Sequence, residues 1–280
     1  MRKDGKKIKD IDPIFRMMPY IMKKRYDAMN MITLDIPVEP MRRYINAKRK
    51  EGFHFTYLGL IVSALVRIMY EFPKMNRFIV NKRVYDRNGV SIAMVVLKPE
   101  TGEESISKMS FGRNDTIFDV HKNIDEYISS NRSVETENST DRLMNLILKV
   151  PGVTPLAVFL IKAMDKFGLL PNALIKASPF HSSALISNLA SIRTNHIYHH
   201  IYDFGTTSIT ATIGNMREVP RTVKGEIVLK KCLPLGVVLD DRICGGSDFA
   251  VAFSSYKTYL NSPELLEVPL DEGAKAESIV

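Results

Sequence analysis

Two rhythms of apolar and polar positions run along the chain, one near 3.6 residues and one near two, and they predict helices and strands in mixed order. After Pro13, residues 14–29 carry apolar side chains at helical spacing, with Lys23, Lys24 and Arg25 near the end, where cations suit the helix dipole. TLDIPVEP reads as extended, residues 41–50 as a short charged helix, and residues 56–72 as a stronger one. Tyr57, Ile61, Ala64, Leu65, Ile68 and Phe72 form its single apolar stripe, and Pro73 ends it. Residues 77–85 and 90–97 predict a hairpin about Asp86-Arg87-Asn88-Gly89, and residues 104–111 predict a further strand. Asp115 precedes an amphipathic helix that runs to about Ser130.

A polar loop over 129–139 follows, then two apolar helices, 143–149 and 156–167, separated by Pro151-Gly152. Both are too short to cross a bilayer and read as core or interface helices. Beyond Pro179 the chain turns β-rich: residues 181–188, 208–214 and 225–239 have the composition of central strands, and 247–260 returns to helix. This order predicts an α/β fold, with a basic flexible arm over 1–11, one domain over 12–269 and a disordered tail over 270–280.

At 280 residues and 45% hydrophobic, the composition is that of a globular protein with a substantial core. Two cysteines in separate segments suggest neither a disulfide framework nor a zinc site and fit a reduced, cytoplasmic setting. No apolar run supports export or membrane insertion, so no membrane partner is expected. The net charge of +8 is concentrated early, with fourteen Lys or Arg against six Asp or Glu in residues 1–50. That excess reads as a solvated basic tail and helix face or as an attraction for ligand phosphates; without a nucleic-acid fold signature, nucleic acid is disfavoured.

Candidate chemistry is uneven. The segment TNHIYHHIYDFGTT holds His196, His199 and His200, half of the six histidines, together with Asp203. Read as a strand, it sets His196, Tyr198 and His200 on one face and His199 on the other. These side chains could serve a reaction centre or be partly buried sheet or interface residues; the spacing offers no third metal ligand, and no metal is expected. Cys244 reads as packing rather than as a nucleophile, His181 as structural, and Arg242 as half of a structural ion pair in preference to a phosphate contact.

The stretch LGVVLDDRICGGSDFAVAFSSYKTYLNSP, from Leu235 to Pro263, resembles the catalytic strand, turn and helix of the acyltransferase component of 2-oxo acid dehydrogenase complexes and, more distantly, chloramphenicol acetyltransferase. That family carries a His-x-x-x-Asp-Gly turn preceded by Asp and followed by Arg in the dehydrogenase branch. Here Asp240, Arg242 and Gly246 match, while Asp241 stands at the histidine position and Gly245 at the aspartate position. RMMPYIMKKRYDA, FTYLGLIVSALVRIMYEFPKMN, ISNLASI and NSPELLEVP resemble further family blocks in the same order.

The resemblance implies a chloramphenicol-acetyltransferase-like two-layer sandwich, a mixed β-sheet with helices on one face. It also implies a homotrimer whose sites lie between subunits, with CoA or acyl-CoA as substrate. No lipoyl segment precedes the domain, so the acyl partner would be a separate lipoyl carrier or a small acceptor. A serine hydroxyl stabilises the oxyanion in the family, and Ser187 matches it. The motif histidine accepts the thiol proton, whereas an aspartate, with an ordinary pKa near 3.9, is a poor acceptor unless burial raises it. The expectation is therefore altered or lost acid-base catalysis, with Asp241 or one of the three clustered histidines as the substitute base. The other reading is a non-catalytic trimeric scaffold.

Overall fold

A computed structural model describes residues 2–272 apart from 99, 133–139, 141, 143, 144, 146, 147, 150, 151 and 153. Its centre is a seven-stranded mixed sheet, ordered β2 (Met29–Pro37), β10 (Glu226–Asp240), β8 (Ile209–Ile213), β7 (Ala184–Asn188), β5 (Val90–Leu97), β6 (Glu104–Phe111), with β9 (Arg217–Val223) paired to the first half of β10. The β5–β7 and β7–β8 pairs are parallel and the others antiparallel. Alternation sorts the two faces: Ala184, Ile186, Ile209, Ala211, Ile213, Leu235 and Val237 join the main core. Leu185, Ser187, Thr210, Thr212, Gly236 and Val238 point the other way.

Helices α2 (Val38–Lys50), α3 (Tyr57–Glu71), α4 (Ile117–Arg132) and α7 (Gly246–Asn261) cover the core face. Helix α3 is buried along nearly its whole length, and the Thr56 hydroxyl caps it by accepting from Gly59 N. The opposite face is covered by less regular chain, chiefly residues 194–207. Helices α5 (Thr154–Phe167) and α6 (Asn172–Ala177) complete the molecule among the described residues, together with α1 (Pro13–Ile21) and a small sheet, β1 (Gly5–Lys7), β4 (Arg83–Arg87), β3 (Arg77–Val80).

Four local expectations change. The first helix stops at Ile21 because Pro19 withholds an amide donor from its last turn, and Met29 already begins β2. The hairpin is β3–β4, turning at Asn81 and Lys82, both at positive φ; β5 pairs with β6 instead. The arm over 1–11 is not free: β1 pairs with β4, and Arg2 is buried in ion pairs with Asp4 and Asp165, at 2.9 and 2.8 Å. Polar composition hid this because the burial is ionic. The histidine segment, 196–203, is not a strand, so the alternation expected of it does not hold; β9 had no expected counterpart. Of the helix over 143–149 and the tail over 270–280, most lies outside the described residues.

Candidate functional site

Register assembles one row across the open face of the sheet. Thr33 of β2 pairs with Gly236 of β10, Gly236 with Thr212 of β8, and Thr212 with Ser187 of β7. Residues 194–203 form a strap over this row. A Cβ at Gly214 would overlap the backbone of His196, and one at Gly236 would overlap the carbonyl of Ile197, so these two glycines make the seat. The Thr212 hydroxyl holds the strap, donating to Ile197 O and accepting from Ile197 N, and Thr210 donates to His199 O.

Ser187 is nearly buried, and its hydroxyl has no hydrogen-bond partner among the described residues. His196 lies over Gly236, two strands away, or about 10 Å from Ser187 at normal strand spacing. Its Nε2 is 3.2 Å from Thr33 Oγ1, which is itself 2.6 Å from the Tyr198 hydroxyl, and its Nδ1 is buried without a partner. Burial, followed by the charge of Arg217, holds the imidazole below its usual value. His199 and His200 stack on each other at 4.7 Å further along the strap, and His199 Nδ1 contacts His200 O.

The turn at residues 240–246 is elsewhere. Asp241 follows Gly236 by five positions along β10, about 17 Å from the Ser187 row, at the opposite end of the sheet. Its carboxylate is half-exposed and accepts from Asn30 Nδ2 at 2.6 Å, while its amide donates to Ala28 O. Thus one chain does not bring Ser187 and Asp241 together, and it does not bury Asp241. Beneath the turn, Asp240 takes two hydrogen bonds from the Arg242 guanidinium, which also donates to Met22 O. Gly245 precedes α7 and donates its amide to Asp248. A Cβ at Gly245 would sit at ordinary contact distance from Phe15, so the missing side chain leaves room rather than a clash.

The remaining readings resolve simply. Cys244 is buried and unpaired, its thiol pushed up to about 12 by burial and then by Asp248, so it is not a nucleophile at neutral pH. His181 is buried with Nδ1 2.8 Å from Ser178 Oγ and Nε2 3.2 Å from Asp165. Asp203 accepts from Lys24 Nζ and Arg25 N rather than serving the strap histidines. Among the described residues no three His, Cys, Asp or Glu side chains cluster as metal ligands, and no helix is long and apolar enough to cross a membrane. Thr33, Thr212 and Asn30 were not foreseen. A glycine inside a strand, Gly236, and one just past a strand, Gly214, were the signal for the strap crossing, whereas nothing local links Asn30 to Asp241, 211 positions away.

Against known proteins, residues 179–268 match the family model of the 2-oxoacid dehydrogenases acyltransferase catalytic domain. The fold is that of this catalytic domain. The Azotobacter vinelandii dihydrolipoamide acetyltransferase, in a structure concerned with the catalytic role of a serine, a histidine and an asparagine, superposes with a TM-score of 0.59 at 13% identity. The match covers 92% of this chain and 93% of that one. The cubic core of the pyruvate dehydrogenase multienzyme complex gives the same values. A chloramphenicol acetyltransferase gives a TM-score of 0.55 at 12% identity over 91% and 99%. No curated protein matches the chain in sequence. The order of short blocks thus led to the right fold, a mixed sheet with helices in the chloramphenicol-acetyltransferase manner.

Proposed function

We propose that this chain moves an acyl group between CoA and a thiol or small acceptor, at a centre formed between two chains of a homotrimer, with altered acid-base chemistry. One observation carries this reading: the unpartnered Ser187 hydroxyl and the motif turn stand at opposite ends of one sheet, so only a neighbouring chain can supply the turn to the serine. Apolar side chains left in water by a single chain support the association. Ile14 and Ile21 on α1 and Ile227 on the β9–β10 ribbon are each more than half exposed.

In this reading the acceptor attacks the thioester carbonyl, the Ser187 hydroxyl donates to the developing oxyanion, and the C–S bond breaks to release the CoA thiol. The acceptor proton passes to the half-exposed Asp241 of the adjacent chain or directly to water, so an acceptor that ionises readily is favoured. The Azotobacter relative, described through a serine, a histidine and an asparagine, supplies the contrast: the turn here offers Asp241 and Gly245. Purified protein should release thiol from acetyl-CoA when a low-pKa thiol acceptor is added. Ser187→Ala should slow this about a hundredfold; an unchanged rate would refute the assignment.

A second reading, a trimeric homologue that binds without turnover, is favoured by the Asp241–Asn30 bond and by His196, whose nitrogens face Thr33 and the protein interior. It predicts CoA binding with no acceptor-dependent thiol release from the unaltered chain.

A further inference from the structure

Away from the Ser187 row, two cavities meet beside α5. One, about 270 Å³, is lined by Val158, Ile161, Leu170, Leu174, Phe180 and Phe204, and its wall is almost entirely hydrocarbon. The other, about 410 Å³, is a cleft lined by seven cations and two carboxylates. Lys162 and Phe204 border both, so the hydrocarbon chamber and the cationic cleft adjoin at these two side chains.

The carboxylates do not neutralise the cleft. Asp165 is paired with Arg2 and contacts His181, and Asp203 is paired with Lys24. Lys23, Lys82, Lys162 and Lys166 form no ion pair among the described residues; Lys82 instead lies 4.8 Å from the Tyr20 ring and Lys166 5.8 Å from that of Phe167. A chamber with apolar walls favours an apolar guest, and an uncompensated cluster of ammonium groups favours an anion. Side by side, they favour a molecule with both properties.

We propose that these two cavities form one binding site for a single-chain amphipathic anion, its hydrocarbon chain in the chamber and its acid group among Lys23, Lys82, Lys162 and Lys166. The chamber lies apart from Ser187, the cleft reaches the turn that carries Asp241 through Arg25 and Arg242, and most of the chamber wall precedes residue 179, where the match to the acyltransferase family begins. A free fatty acid and the anionic lipid of a membrane share this chemistry. The recessed chamber, with its hydrocarbon wall, favours the free acid, whereas exposed Leu156, Phe159 and Leu160 on α5 are what a bilayer would meet.

Calorimetric titration of the full chain with laurate, dodecanol and acetate tests the proposal. Laurate should bind saturably, at least about tenfold more tightly than either dodecanol, which lacks the charge, or acetate, which lacks the chain. Added salt should weaken it. Val158→Trp fills the chamber from its rim, and the pair Lys82→Glu and Lys162→Glu reverses charge at exposed positions. Each should weaken laurate by about tenfold while leaving the melting temperature unchanged. Equal affinity for laurate and dodecanol, or unaltered laurate binding by both variants, would overturn the site. Pelleting with phosphatidylglycerol vesicles in the absence of saturable laurate binding would overturn it in favour of a membrane surface. Neither result depends on Ser187.

Discussion

Asp240 and Arg242, two residues apart and both fully enclosed, face each other through two hydrogen bonds of 2.7 Å. Arg25 Nε stands 3.9 Å from the same carboxylate, so one anion serves two buried cations. This is the foundation of the turn that carries Asp241. Asp240→Ala should destabilise the protein by about 3 to 5 kcal/mol, because it strands buried guanidinium charge. Urea unfolding measures this; a loss below about 1 kcal/mol would mean that water reaches the pair.

Replacing both departures in the turn should restore proton transfer if the centre lies where we propose. Asp241→His with Gly245→Asp should raise acceptor-dependent thiol release by about 10² to 10⁴. Gly245 has room for the new Cβ, so the fold should tolerate it. Steady-state rates, with CoA affinity measured in parallel, decide the matter. Intact affinity with no gain in rate would count against the turn as the locus of catalysis.

The Asp165–His181 contact makes stability depend on pH. Burial pushes the His181 imidazole below its ordinary value near 6.5, and Asp165 offsets this only in part. Burial alone would raise Asp165, but His181 and Arg2 outweigh it and hold the carboxyl below its usual range. On acidification the unfolded chain therefore protonates His181 before the folded chain does. Stability should be intact above about pH 6.5 and decline as pH falls below it, with a further decline below about pH 4 as Asp165 protonates. Unfolding curves for His181→Gln should lack the first decline and show the second weakened, because Arg2 is then left to hold the Asp165 carboxyl down without the imidazole.

Gly236→Val should act on the strap rather than on the sheet, since its new side chain meets the Ile197 carbonyl. A cost of about 1 to 3 kcal/mol is expected. Amide exchange offers the sharper readout: Ile197 N, bonded to Thr212 Oγ1, should lose protection while the β8–β10 ladder keeps it.

What the amino-acid order disclosed followed from periodicity. Helices α2, α3, α4 and α7 and strands β6, β8 and β10 lie close to where apolar spacing and strand-forming residue types set them, because each supplies side chains to the main core. Elements governed by charge were less legible. Arg2 enters the interior only because Asp4 and Asp165 await it, and the latter is 163 positions away. The histidine strap mimics a strand in composition, yet its hydrogen bonds come from the threonine side chains of β8, so it has no ladder to extend. Ser187 and the 240–246 turn were legible as separate landmarks. Their distance was not, since it depends on how three strands align.

The glycine seat also imposes an order on biosynthesis. Residues 194–203 leave the ribosome before β10, and Gly236, half of their seat, follows more than thirty positions later. Until Gly236 has emerged, His196 and Ile197 lack half of the surface on which they dock. A nascent or truncated polypeptide ending short of Gly236 would therefore leave His196 and Ile197 without the strand they pack on, whereas the finished protein half-buries His196 against it.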